Sequence, residues 1–266
     1  MLKNTATKED FKILTKKEPQ KSLLLRLPQN AGRSADGRIN VRHQGGGEKK
    51  LYRIIDFGQD KINMKAKVVA LEYDPYRSAF IALLQYQDND KRYCLAPQGL
   101  KVNDEIICQD KTELIPGNRM KLKNIPVGTV VYNLELEPGR GGKLVRGAGT
   151  GAKILAHEGK YTQVQMPSSE IRQLLGEGFA SIGALSRPEH KYIRVGKAGK
   201  TRHKGIRPTV RGAAMNPPDH PHGGGEGRTP IGMKYPKTPW GKHATGVKTR
   251  KRSRTDQHII ERRHKR

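Results

Sequence analysis

From Leu51 the chain alternates apolar and polar positions in the two-residue rhythm of β-strands. Leu51-Tyr-Arg-Ile-Ile-Asp-Phe57, Ala66–Tyr73, Ala79–Tyr86, Arg92–Ala96 and Asp104–Cys108 each read as one short strand. The connections contain Asp74-Pro75, Asp88-Asn89-Asp90 and Pro97-Gln-Gly99, residues that fix φ or bond their own backbone in turns. Five short strands in succession predict a small closed or nearly closed barrel of the OB kind. The period alone also allows a sandwich.

A second β pattern follows Pro116-Gly117. Thr129–Leu136, Lys153–His157, Tyr161–Met166, Glu170–Leu175 and Phe179–Leu185 are its predicted strands. Ile171, Leu174 and Leu175 have helical spacing, but Gly176 and Gly178 cut a helix short. One long basic Gly-rich loop, Pro138 to Lys153, separates the first two strands. These signals predict a mainly β chain, with a second small barrel after the first.

Both patterns stop at the ends of the chain. Residues 197–266 hold 19 Lys and Arg against 4 Asp and Glu, with ten glycines, seven prolines and two aromatics, Tyr235 and Trp240. Such a segment lacks the apolar residues for a core of its own. The predicted organisation is a basic N-terminal extension over 1–50, barrels over 51–115 and 116–196, and a basic Gly/Pro-rich extension over 197–266. Residues 1–45 and 200–266 are expected to be disordered without a partner.

Charge changes the picture most. The 266 residues carry a net +27, far beyond what solubility needs, and this points to nucleic acid before an anionic membrane. No apolar run is long enough to span a bilayer. The first ten residues lack an apolar h-region, and Glu9 and Asp10 argue against a transit peptide. Cys94 and Cys108 form no CxxC, which fits a reducing compartment such as the cytoplasm and no cysteine zinc site.

The motifs with catalytic or cofactor chemistry are incomplete. Lys153 follows Ala152 and precedes Ile154, so the Gly-rich loop is not a Walker A loop. Gly147, Gly149 and Gly151 have the wrong spacing for a dinucleotide turn and lead into a strand. His220-Pro-His222, with Asp219, Glu226 and His243, offers a zinc reading. That loop has no apolar support to hold ligands rigidly, and His in a basic Gly/Pro loop more often meets phosphate, 2′-OH or a base. No Ser or Cys sits in an elbow-like setting. No cofactor, metal or catalytic residue is expected.

The residues also resemble a known family. The segments are Gly37-Arg-Ile with Arg42-His-Gln-Gly-Gly-Gly47, Tyr52-Arg-Ile-Ile-Asp-Phe57, Leu71-Glu-Tyr-Asp-Pro-Tyr-Arg-Ser-Ala79 and Arg92-Tyr-Cys-Leu-Ala-Pro-Gln-Gly-Leu100. They continue through Pro116-Gly-Asn118, Asn124-Ile-Pro-Val-Gly128, Gly196-Lys-Ala-Gly199 and Gly205-Ile-Arg-Pro-Thr-Val-Arg-Gly212. The last and longest is Ala214-Met-Asn-Pro-Pro-Asp-His-Pro-His-Gly-Gly-Gly-Glu-Gly-Arg228. From about residue 20 onward the chain resembles the universal ribosomal protein L-two family of the large subunit, in its bacterial or organellar form. It departs at Glu48, where the family often has His, and at His203, where it often has Trp.

The resemblance implies an OB-like barrel followed by an SH3-like barrel, with both extensions threaded through large-subunit ribosomal RNA. It implies a structural, non-enzymatic role in subunit joining, tRNA binding and the RNA architecture near the peptidyl-transferase centre. The implied partners are large-subunit RNA, small-subunit RNA across the interface and neighbouring ribosomal proteins, with no membrane. The family's His in the Asp-His-Pro-His motif corresponds to His220, carried over as an RNA contact only. A rival reading, a general single-strand or DNA-compacting protein, would want a repetitive Lys-rich tail, and this tail is not repetitive.

Candidate RNA-contacting residues follow from charge, from glycine placement and from what the resemblance implies. In the N-terminal extension they are Arg33, Arg38, Arg42 and the triple glycine Gly45, Gly46 and Gly47. On the barrels they are Arg53, Arg77, Arg140, Lys143, Arg146 and Lys153. In the C-terminal extension the first are Lys197, Lys200, Arg202, Lys204, Arg207, Arg211, Asn216, His220, His222, Gly223, Gly224, Gly225 and Arg228. Beyond these come Trp240, Lys242, Lys248, Arg250, Lys251, Arg252, Arg254, Arg262 and Arg263. Arg offers phosphate a planar fork, and glycine removes side chains where another backbone must come close.

Overall fold

The computed structural model of the protein describes residues 11–15, 18–226, 228–248, 250 and 253–263. Its strands are β1 (Leu24–Leu25), β2 (Tyr52–Arg53), β3 (Lys65–Glu72), β4 (Ile81–Tyr86), β5 (Lys91–Leu95), β6 (Glu105–Ile107) and β7 (Arg119–Lys121). They continue as β8 (Val130–Tyr132), β9 (Ala152–Glu158), β10 (Tyr161–Gln165), β11 (Ile171–Leu175), β12 (Phe179–Ile182) and β13 (Ile259–Glu261). Among the described residues one α-helix, α1, covers Ala198–His203. Among the described residues, no helix is long and apolar enough to cross a membrane. The chain divides into a unit of Met1–Pro28, Lys50–Arg194 and Thr255–Arg266, and a second of Gln29–Lys49 and Val195–Arg254.

The first unit is built on two large antiparallel sheets, beside the two-stranded pair β1-β2. The first runs β5-β4-β3-β6. In β3 the alternation is as written in the sequence: Lys65, Lys67 and Val69 face out while Ala66, Val68 and Ala70 are buried. β4 is buried on both faces, which explains its nearly unbroken apolar run. Ala82, Leu84 and Tyr86 pack with Val68, Phe80, Cys94, Leu100 and Ile106. Ile81 and Leu83, on the opposite face, pack with Tyr93, Leu95, Tyr132 and Leu185. This second cluster ties the two sheets together, because Tyr132 and Leu185 come from the later pattern.

The other sheet runs β13-β11-β10-β9-β8-β12-β7. Its core holds Met120, Leu122, Ile125, Val131, Leu134, Ile154, Val164, Leu174 and Ile182. Ile171–Leu175 is a strand, as Gly176 and Gly178 require, and it pairs with β10 from Gln165↔Ile171 to Tyr161↔Leu175. The fold is mainly β, an OB-like element followed by an SH3-like one.

Several predicted strands are shorter than their patterns. Tyr52–Arg53 replaces the expected Leu51–Phe57, because the Asp56 carboxylate accepts from the Gly58 and Gln59 amides at 3.0 and 2.7 Å and turns the chain. Asn133 takes φ 51 and ends β8 before Leu136. Gly183 takes φ 110 after β12.

Three strands had no counterpart in the pattern. β7 is Arg-Met-Lys, three residues with a buried arginine. β1 pairs with β2, through Leu24↔Arg53 and Leu25↔Tyr52. In the same segment Thr15 bonds Leu71 in both directions, and the Gln20 amide donates to the Tyr93 hydroxyl at 2.8 Å. β13 joins the edge of the second sheet through Ile171↔Glu261 and Arg172↔Ile259. Residues 259–261 thus form a strand inside a stretch expected to be irregular, since a free sheet edge can pair with any extended segment that reaches it.

Candidate nucleic-acid interface

The second unit concentrates the charge. Gln29–Lys49 and Val195–Arg254 together contain 19 Lys and Arg but only 4 Asp and Glu. Most candidates fall here: Arg33, Arg38, Arg42, the triple glycine, and the residues from Lys197 to Arg250. Lys251 and Arg252 lie outside the described residues, as does the side chain of Arg254. Arg33, Arg38, Arg42, Lys197, Lys200, Arg202, Lys204, Arg211 and Arg228 are all exposed.

The frame that holds these cations is backbone hydrogen bonding. At one junction the arm 43–48 meets the end of α1. The Gly45 amide donates to Gly205 O at 2.6 Å, Glu48 N to His203 O at 3.0 Å, and Arg207 N to His43 O at 3.0 Å. A Cβ on Gly47 would lie 2.7 Å from His203 O, and Gly47 has φ +68. The close approach permitted by Gly47 is therefore made by the chain's own backbone. Glu48 and His203 also meet here: Nδ1 of His203 lies 2.7 Å from Oε1 of Glu48.

The Pro/Gly stretch 216–228 was not expected to hold a shape alone. In the structure it closes on itself. Asp219 N donates to Asn216 O, Gly223 N to His220 O at 2.8 Å, and Gly224 N to Met215 O at 3.0 Å. A Cβ on Gly223 would sit 2.2 Å from Asn216 O, and one on Gly225 would sit 2.1 Å from Thr229 Oγ1. Turn residues and absent Cβ atoms do here what apolar side chains do elsewhere.

His220 is the pin of this loop. Only 7% of it is exposed, and its ring lies where Gly212 has no side chain, Cε1 falling 2.4 Å from the position of a Cβ. Its Nδ1 accepts from the His222 backbone amide at 3.0 Å, which places the proton of the neutral ring on Nε2. The His222 Nε2 accepts from the Lys237 amide at 2.9 Å. Burial first, then His222 and Arg42, hold the His220 pKa below the ordinary imidazole range. Among the described residues, no three His, Cys, Asp or Glu side chains come together as a metal-ligand set.

A small hairpin follows at 236–244. Thr238 N donates to Lys242 O at 2.7 Å, Gly241 N to Thr238 O at 2.9 Å, and Ala244 N to Pro236 O at 2.9 Å. The Tyr235 and His243 rings lie 4.7 Å apart beside it. Trp240 stands at the turn, 75% exposed, with the Arg42 guanidinium 5.4 Å from its ring centroid. Lys234 beside this hairpin and Lys237 within it were not among the sequence candidates. Their signal was weak, since lysines beside one Tyr read as any solvated face.

The candidates of the first unit divide differently. Arg77 is committed to Asp74, to the Tyr52 hydroxyl at 2.7 Å and to the faces of Tyr52 and Phe57. Arg53 Nη1 donates to Leu51 O at 2.8 Å. In the Gly-rich loop before β9, Arg140 pairs with Glu137 at 2.9 Å, Arg146 lies over Phe57 at 4.5 Å and Lys143 is exposed, while Lys153 is exposed on β9 itself. That loop leads into β9 and not into a helix, so it lacks the helix N-terminus of a nucleotide site. Arg262 pairs with Asp256 at 3.0 Å, and Arg263 is exposed.

Two family models match the chain. Residues 20–108 match Ribosomal Proteins L2, RNA binding N-terminal domain. Residues 115–241 match Ribosomal Proteins L2, C-terminal domain. The matches meet at the short link between the first sheet and the second, and together they cover most of the chain. The chain belongs to the ribosomal protein L2 family, structural constituents of the large ribosomal subunit whose N-terminal domain binds RNA.

Proposed function

We propose that this chain is a scaffold laid against large-subunit ribosomal RNA, with the extensions 1–50 and 197–266 threading between RNA segments. The observation that carries this is the second unit, where 19 basic residues stand on a frame of backbone hydrogen bonds with only 4 acids. Lys and Arg displace counterions from crowded phosphates, and an irregular, pre-shaped basic surface suits RNA, which offers shape and 2′-OH groups more than a readable deep groove. The same scaffold supports subunit joining, tRNA binding and the RNA around the peptidyl-transferase centre, in contact with small-subunit RNA and neighbouring proteins. The family resemblance supports that finer role.

The chain acts without catalysis of its own. His220 serves through the shape of the loop, because its Nδ1 is engaged by the His222 amide and its ring is packed on Gly212. Binding to a large-subunit RNA fragment, followed against salt, tests the scaffold. With roughly 8–12 phosphate contacts, affinity falls by several decades between low and moderate salt. A flat response would assign the charge to a protein partner. His220→Ala subunits that assemble and join normally yet lose peptide transfer a thousandfold would overturn this reading and make His220 a catalytic group.

A further inference from the structure

We propose that Trp240 and Arg42 form a stacking site for one unpaired RNA base, which rests on the RNA-scaffold reading above. Three observations converge. Trp240 is 75% exposed, whereas a large aromatic with no role is normally packed. It is not on a loose tail, because Thr238, Lys242, Gly241, Pro236 and Ala244 close the hairpin beneath it, and Gly241 supplies the φ of +77 that the turn needs. Arg42, from a segment 198 positions earlier, lies over the indole at 5.4 Å.

The chemistry of such a pair is specific. A guanidinium over one face orients the ring and leaves the other for a flat, apolar partner. A nucleobase is that partner in a unit of this charge, since its phosphate would come with it toward Arg42 and Lys242. A base inside a duplex is already stacked and cannot reach the indole. The site therefore selects a bulge, loop or single strand over a helix.

Trp240 is the only tryptophan, so its emission reads this site without a label. The full chain is titrated with a short oligoribouridylate, whose bases are unstacked, and with a blunt RNA duplex of matched charge, binding being scored separately by filter retention. The single strand should quench Trp240 and the duplex should bind without quenching. Trp240→Ala should weaken the single strand about tenfold and leave the salt slope unchanged, while Trp240→Phe keeps most of the affinity. Arg42→Ala should reduce the slope by about one. RNA binding with unchanged indole emission, or equal quenching by duplex, would overturn the stacking site and leave the scaffold standing. Unaltered RNA affinity in Trp240→Ala would hand the indole to a protein partner. No RNA retention by the wild-type chain at low salt would sink the scaffold itself.

Discussion

Arg119 Nη2 donates to Glu135 Oε1 at 2.8 Å while both side chains are out of water, at 0% and 2% exposure. The remaining donors of the guanidinium reach Gly58 O at 3.1 Å, Asn133 O at 2.9 Å and Ser181 Oγ at 3.3 Å. Glu135 Oε2 accepts from the Gly139 and Phe179 amides, both at 3.1 Å. The pair thus stitches the strand β7 to the loop after β8 and to the start of β12.

Removing one partner should therefore be costly. Glu135→Ala leaves a buried, uncompensated cation and should destabilise the first unit by about 3–5 kcal/mol. Replacing both, as Arg119→Met with Glu135→Leu, should cost much less than the two single changes added. Urea unfolding of the three variants decides it, and a Glu135→Ala loss under about 1 kcal/mol would show that water reaches the pair.

The two thiols should be silent in the folded chain. Burial pushes Cys94 up to about 12 and Cys108 up to about 11, and the thiolate is the reactive form. At mildly alkaline pH an aromatic disulfide reagent should modify neither until denaturant is added. Rapid titration of one equivalent in native buffer would mean that the first barrel opens locally.

The His220 loop should loosen in acid. A histidine held below its usual 6.5 takes up a proton less readily folded than unfolded, so its contribution is complete above that value and is lost as pH falls below it. The Gly223 amide, bonded to His220 O, should lose exchange protection at low pH after correction for intrinsic rates. His220→Gln, uncharged at every pH, should abolish that dependence. If the dependence survives His220→Gln, another group sets it.

The glycines should sort by what they touch. Gly223→Ala forces a Cβ to within 2.2 Å of Asn216 O and should disturb the loop even without RNA. Gly46→Ala meets nothing nearer than 3.9 Å and should leave the free chain unchanged. A loss of RNA affinity in Gly46→Ala, with intact circular dichroism, would place RNA against that backbone. Intact Gly223→Ala amide protection would count against the closed loop.

The sequence by itself determined the mainly β character, the order of the barrels and the basic ends. β3 and β10 to β12 were legible because a strand on one face of a core repeats every two residues, and that signal is local. Charge was legible because it is a sum. Burial of a charge is not a sum: Arg119 reads as one more surface cation, and only the fold surrounds it with four oxygen-bearing partners. β13 was illegible for a related reason, since Ile259–Glu261 becomes a strand only where the edge of β11 is presented to it.

The site divides along the same line. Arginines and glycines in a Pro-rich tail are visible in any reading of the chain, and so is their preference for a polyanion. Which glycines are closed off by the chain's own backbone depends on contacts such as Gly47 with His203. Arg42 over Trp240 and Glu48 beside His203 join residues 198 and 155 positions apart. No period or motif carries such a pairing, because it exists only after the backbone hydrogen bonds of the second unit have brought the arm 43–48 against Gly205.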